Sequence, residues 1–170
     1  MVNLELVTAP ATKPVTTAEA KSWMRVDISD DDTLIDSLIE SATDQFEIIT
    51  GRQLVTATYD YFADGWILNN KGCLEIPLGN VASITSIKYK DTDEVLQTWS
   101  SAKYEVNLKK QIVEIRPITT ENFPSLGDEF NSVEIRFTAG YGAASAVPDA
   151  IKQCLYMMIS DAYEHREQMS

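Results

Sequence analysis

The run Asp27-Ile28-Ser29-Asp30-Asp31-Asp32 is where a divalent cation would first be sought in this chain. An EF-hand loop starting at Asp27 needs glycine at its sixth position for the sharp turn and glutamate at its twelfth for bidentate closure. Those positions hold Asp32 and Leu38, so the pattern fails. The acids instead suit a helix start, where carboxylates meet the positive end of the dipole. The single histidine lies in Glu164-His165-Arg166-Glu167, without a serine or cysteine nucleophile pattern nearby. Triads built on histidine and His-ligated metals therefore lack raw material. Cys73 and Cys154 have no basic neighbours to lower a thiol pKa and fall within apolar patterns, which reads as ordinary burial. Ala139-Gly140-Tyr141-Gly142-Ala143 lacks the lysine and spacing of a phosphate loop and reads as a tight turn. No catalytic, cofactor-binding or metal-binding set is expected.

Two further groups invite a binding role. Trp23, Trp66 and Trp99, with seven tyrosines, could line a groove, although aromatics mostly fill cores or subunit contacts. Trp66 follows the turn Asp64-Gly65 and is the one expected at the surface. Residues 29–50 carry seven acids and no lysine or arginine. Asp32, Asp36, Glu40 and Asp44 recur at i,i+4, a spacing that puts like charges side by side on one helix face at a cost of about 0.2–0.5 kcal/mol per pair. Such a face is either simply solvated, or it meets a basic partner or repels a polyanion.

These residues need elements to hold them. Thr16-Thr17-Ala18-Glu19 fits a capping box opening a helix from about Thr17 to Arg25. Ser29 or Asp30 is expected to cap a second helix ending near Thr50, with Gly51 closing it in the left-handed conformation. Ile35, Leu38, Ile39, Ala42, Phe46 and Ile49 form its apolar stripe. From Gln53 the pattern turns to short β-branched and aromatic runs: Leu54 to Phe62, Cys73 to Ile76, Ile84 to Tyr89, Lys103 to Leu108, Gln111 to Arg116, and Val133 to Phe137. Lys109 and Lys110 fall at the tip of a hairpin joining two of them. Pro117 to Asn131 reads as a loop. A last helix is expected from Pro148, as a first-turn proline, to Glu167, with Ile151, Cys154, Leu155, Met158, Ala162 and Tyr163 on its apolar face.

The fold class that follows is α+β, with helices from both chain ends packed together and a strand-rich central insertion. A single domain over 1–170 is expected, its helical part 16–52 and 147–168 and its strand-rich part 53–141. Fourteen basic residues against twenty-six acidic ones give a net charge of −12, which argues against general affinity for nucleic acid or anionic membrane. No apolar run approaches the roughly 18–20 residues of a membrane span, and no signal peptide is evident at the N-terminus. A soluble, cytosolic protein is the default expectation.

Thr17-Ala18-Glu19-Ala20-Lys21, Met24-Arg25-Val26-Asp27, Asp31-Asp32, Leu38-Ile39 and Thr50-Gly51-Arg52 follow one another near the start. Phe137-Thr138-Ala139-Gly140-Tyr141-Gly142, Val147-Pro148, Ile151-Lys152-Gln153 and Tyr163-Glu164-His165-Arg166-Glu167 follow near the end. In order and spacing, both ends resemble the head–tail connector (adaptor or head-completion) proteins of tailed bacteriophages. The resemblance covers about ninety residues; the middle strands match in character alone. It implies a structural virion protein at the head–tail junction, assembled in the host cytoplasm. Such a protein forms a ring, twelve-fold on the portal, that extends the DNA channel and offers a docking surface to the next connector or tail-completion protein. It implies no catalytic residues.

Within that reading, Tyr163, Glu164, Arg166, Glu167 and Trp66 are candidate portal or subunit contacts. Asp32, Asp36, Glu40 and Asp44 are candidate channel or interface acids, and DNA is expected to pass without tight binding. Lys109 and Lys110 are a candidate local DNA contact. Two other readings use different residues: a ligand- or carbohydrate-binding module of a virion using exposed aromatics, and, more distantly, an enzyme using paired carboxylates.

Overall fold

A computed structural model of the chain describes residues 2–165. The first helix, α1 (Thr17–Met24), starts on the expected capping box: the Glu19 amide donates to the Thr16 hydroxyl at 3.2 Å, and the Thr16 amide donates to the Glu19 carboxylate at 2.7 Å. Arg25 ends it in the left-handed conformation, φ 58°. The second helix, α2 (Asp32–Thr50), closes at Gly51 with φ 61°, but its N-cap is Asp31 rather than Ser29 or Asp30. Asp31 offers its carbonyl to the Ile35 amide at 2.9 Å, while its carboxylate is turned to a different helix.

Eight strands lie between and around the helices: β1 (Val2–Thr8), β2 (Ala57–Ala63), β3 (Leu74–Gly79), β4 (Val81–Lys90), β5 (Leu96–Trp99), β6 (Tyr104–Asn107), β7 (Ile112–Pro117) and β8 (Val133–Ala139). The last helix is α3 (Asp149–Glu164). Pro148 is its N-cap, with an extended ψ of 137°, and not its first helical residue. The expected continuation of this helix to Glu167 lies outside the described residues, as do the candidate contacts Arg166 and Glu167.

Five strands form one sheet in the order β1-β2-β8-β4-β5, and three form another in the order β3-β7-β6. The described pairings within both sheets are antiparallel. Strand β8 alternates buried and half-buried residues along its whole length, because Val133, Ile135, Phe137 and Ala139 face the other sheet. Leu74, Ile76, Val113 and Ile115 answer from the smaller sheet. Burying each such side chain contributes roughly 1.5–3 kcal/mol, which makes this the first of two cores.

Two strands were not anticipated from the sequence. Strand β5 is four residues long and exposed at all but Trp99, so it carries too little alternation to read. Strand β1 exposes Leu6 and Val7, and its place is set by pairing with β2, from Val2↔Ala63 to Thr8↔Thr58. The N-terminus thus contributes to the sheet as well as to the helices.

The second core is helical. Ile35, Ile39 and Ala42 of α2 meet Leu155 and Ile159 of α3, with Ala20 of α1 and Val15, Leu54, Val55 and Val147 from the flanking loops. The stripe on α2 stops short of expectation: Ile49 is 73% exposed, although Phe46 one turn before it still packs against this core. The glycine turn joins the two cores. The Tyr141 amide donates to Leu54 O at 2.9 Å, the Thr56 amide to Gly142 O at 2.9 Å, and the Gly140 amide to Asn80 O at 3.1 Å. Gly140, at φ 127°, lies so close to Thr56 that a Cβ would come within 2.6 Å of its backbone.

Candidate functional site

The acidic face of α2 is less bare than its sequence suggests, because lysines arrive from elsewhere in the chain. Lys13 reaches Asp36 at 2.8 Å and Glu40 at 3.0 Å, and Lys21 of α1 reaches Asp32 at 2.6 Å. Asp36 also accepts a hydrogen bond from the Thr17 hydroxyl at 2.7 Å. The bonds from Lys13 and then Thr17 hold the Asp36 carboxyl below its ordinary value. Burial pulls the Lys13 ammonium downward, but its hydrogen bonds to Asp36 and Glu40 more than offset that and leave it raised. Three of the four candidate acids therefore help to fix α1 and the 9–14 loop against α2. Asp44, one turn further on, stays exposed. Ion pairs this open to water contribute about 0–1 kcal/mol each, so their main effect is to set the local charge pattern.

Beyond Asp44 the same face borders a groove of about 510 Å³ between α2, the 9–14 loop and the β1–β2 edge. Its walls mix apolar groups (Leu6, Pro10, Pro14, Val55 and Tyr59) with Glu40, Asp44, Glu47 and Lys13. Glu47 is half-buried and accepts the Leu54 amide at 2.8 Å and the Gln53 side-chain amide at 2.9 Å. Burial raises its pKa, opposed by the Leu54 bond. Gln53, itself buried, accepts the Tyr59 hydroxyl, whose pKa burial raises as well, helped by Glu47 and Asp44. Glu47 is one of the seven acids of residues 29–50, whereas Lys13 and Tyr59 were not singled out from the sequence. Lys13 meets Asp36 across 23 positions, a separation at which no local spacing signal exists.

The other candidates fall elsewhere. The Tyr163 hydroxyl donates to Asp31 at 2.5 Å, tying the end of α3 to the start of α2, while Glu164 beside it is exposed. Trp66 corrects an expectation, since it is half-buried rather than displayed. It packs against Trp99, Phe123 and Tyr89 at ring-centroid distances of 5.4, 5.0 and 6.4 Å, and its indole N–H donates to Pro124 O at 2.8 Å. An aromatic that closes a core in this way has little face left for a sugar; Trp23, by contrast, is 50% exposed and stacks on Tyr156 at a ring-centroid distance of 5.3 Å. Lys109 and Lys110 do lie in the turn between β6 and β7, where Lys110 pairs with Glu114 at 2.5 Å and Lys109 is exposed. Among the described residues, no group of three or more histidine, cysteine, aspartate or glutamate side chains is placed to hold a metal ion.

The arrangement is one of surfaces rather than of a reactive centre, and the comparisons with known proteins agree with that. The family model for the phage gp6-like head-tail connector protein matches residues 15–115, more than half of the chain. The chain belongs to this family. The connector is accordingly a structural protein of the phage head–tail type and not an enzyme. The match runs from the loop before α1 into β7, so β8 and α3 lie beyond it. Among curated protein sequences none matches.

Solved structures share the connector's fold over nearly its whole length. A chain in the neck of an empty gene transfer agent (GTA) particle, computed with C6 symmetry, aligns with a TM-score of 0.81 at 23% identity, covering 96% of this chain and 85% of that one. A chain in the virion of the native GTA particle aligns with a TM-score of 0.81 at 23% identity, covering 96% and 84%. A chain in the neck of the native particle, computed with C12 symmetry, gives 0.76 at 21% identity, again covering 96% and 84%.

Proposed function

We propose that this connector works as one domain that assembles into a closed ring at the head–tail junction of a phage-like virion. The ring sits beneath the portal and extends the DNA channel toward the next connector or tail-completion protein. The observation that supports the reading best is the shared fold, over 96% of the chain, with proteins in particle necks computed with C6 and C12 symmetry. A closed ring repeats one heterologous contact around its axis, so each copy must offer two different complementary faces. Twelve copies would match a twelve-fold portal. The chain's net charge of −12 keeps DNA from adhering during passage, since repulsion acts over roughly 8–10 Å at physiological salt, and the stripe Asp32, Asp36, Glu40 and Asp44 faces the channel or a subunit contact. Residues from Tyr163 onward contribute to portal docking.

Electron microscopy of the purified protein, alone at high concentration and mixed with portal particles, tests the reading. Rings of uniform size in either sample are the expected result. A species that stays monomeric at millimolar concentration and does not bind portal particles would refute it. Deleting Glu164 to Ser170 should weaken portal binding while the fold survives; unchanged affinity would withdraw the C-terminal contact.

A further inference from the structure

Chains carrying a net charge of −12 repel one another, so a self-contact is favoured where a local positive feature meets a local negative one. Lys109-Lys110 is the one place in the sequence where two basic residues stand side by side. They occupy the tip of the β6–β7 hairpin, flanked by Leu108, which is 45% exposed, and Ile112, which is 47% exposed. Lys110 is paired with Glu114, so the exposed Lys109 supplies the positive charge, and the tip is both cationic and apolar. A phosphate backbone would use the charge and leave the two aliphatic side chains in water. The groove beside α2 has the opposite character, with Leu6, Pro10 and Pro14 bordered by Asp44, Glu47 and Glu40 and a single lysine.

The tip and the groove share no residue, although Gly79 ties the hairpin base to the end of α2 by donating its amide to Gly51 O at 2.7 Å. The hairpin is in the small sheet, where Ile112 pairs with Gly79 at the end of β3. The groove lies along β1, at the edge of the large sheet. A finger on one sheet and a receptor on the other suit a contact that runs head to tail.

We propose that the β6–β7 hairpin tip of one copy docks in the α2–β1 groove of the next, with Leu108 against the apolar wall and Lys109 near Asp44. This rests on the ring reading and supplies its repeating contact. Lys109→Glu and Asp44→Lys reverse the two charges at exposed positions, where the fold is not at stake; circular dichroism and melting temperature verify that. Each variant alone should need about tenfold more protein to assemble, because each places like charges across every interface. An equal mixture of the two should assemble like the wild type. In an alternating ring every finger then meets a groove of opposite charge, and an even number of copies closes it.

Sedimentation velocity over a concentration series reads the association, and cross-linking of a double variant, Leu108→Cys at the tip with Thr43→Cys in the groove wall beside Asp44, reads the contact. A ladder of cross-linked oligomers is expected. Variants that assemble normally, or a mixture that fails to recover, would overturn the finger-and-groove contact while leaving the ring reading intact. A wild type that neither self-associates nor forms rings on portal particles would overturn both. Lys109→Glu reducing binding to a duplex oligonucleotide, with association unchanged, would reassign the tip to DNA.

Discussion

Replacing Gly140 by alanine tests the joint between the two cores. At φ 127°, a Cβ would lie 2.6 Å from both the nitrogen and the Cα of Thr56 and 2.8 Å from the carbonyl carbon of Val55. All three are backbone atoms, so no change of rotamer relieves the overlap. Holding a non-glycine residue in such a conformation costs about 1–3 kcal/mol, and the added volume costs about another 1–3 kcal/mol. The midpoints sum to about 4 kcal/mol, a large share of the roughly 5–15 kcal/mol that stabilises an ordinary domain. For a chain of this size each kcal/mol moves the melting temperature by about 2–4 °C, so a fall of about 8–16 °C is expected. Urea unfolding followed by tryptophan fluorescence and circular dichroism measures the loss directly. Gly65→Ala is the control: a Cβ there meets nothing within 4 Å, and the change should stay within about 1 kcal/mol of the wild type. If both variants unfold at the same urea concentration, the close approach of the glycine turn to Thr56 does not join the cores, and the reasoning fails.

Thr16→Ala should cost about 1 kcal/mol at neutral pH by removing half of the capping box, as thermal unfolding will show. The Glu19 carboxyl is held below its ordinary value by the Thr16 amide and then by the Thr16 hydroxyl. Its contribution is therefore present above the ordinary carboxylate range and lost as pH falls through the lowered value, so the gap between wild type and variant should narrow in acid. Glu47 carries the opposite sign, since burial raises its pKa: the ionised form is penalised at neutral pH, and the penalty disappears as pH falls through the raised value. Glu47→Gln, which can still accept the Leu54 amide, should be more stable than the wild type at pH 8 and converge on it below the ordinary glutamate pKa, measured by urea midpoints across pH. The free protein should show no micromolar affinity for duplex DNA at low salt by fluorescence anisotropy; binding that collapses as salt rises would contradict the repulsion argument.

The sequence by itself determined the features that depend on near neighbours along the chain. The capping box at Thr16 and Glu19, the glycine stop of α2, the alternation of Val133, Ile135 and Phe137, and the turn at Lys109-Lys110 each need a few consecutive residues, and each is where the local pattern put it. The resemblance read from short motifs at the two ends agrees with the family match, which covers the motifs near the start. Tertiary structure decided whatever depends on residues far apart in sequence. Strand β1 does alternate apolar and polar residues from Val2 to Leu6, but that run is short, and it is the pairing with β2 that fixes it as an edge of the sheet. Trp66 is half-buried because Trp99 and Phe123 fold over it, although the turn before it reads as surface. The acids of α2 look unopposed along 22 residues, yet Lys13 and Lys21 partly neutralise them from outside the helix. Charge pairing and burial act through space, and the folded chain alone sets those distances.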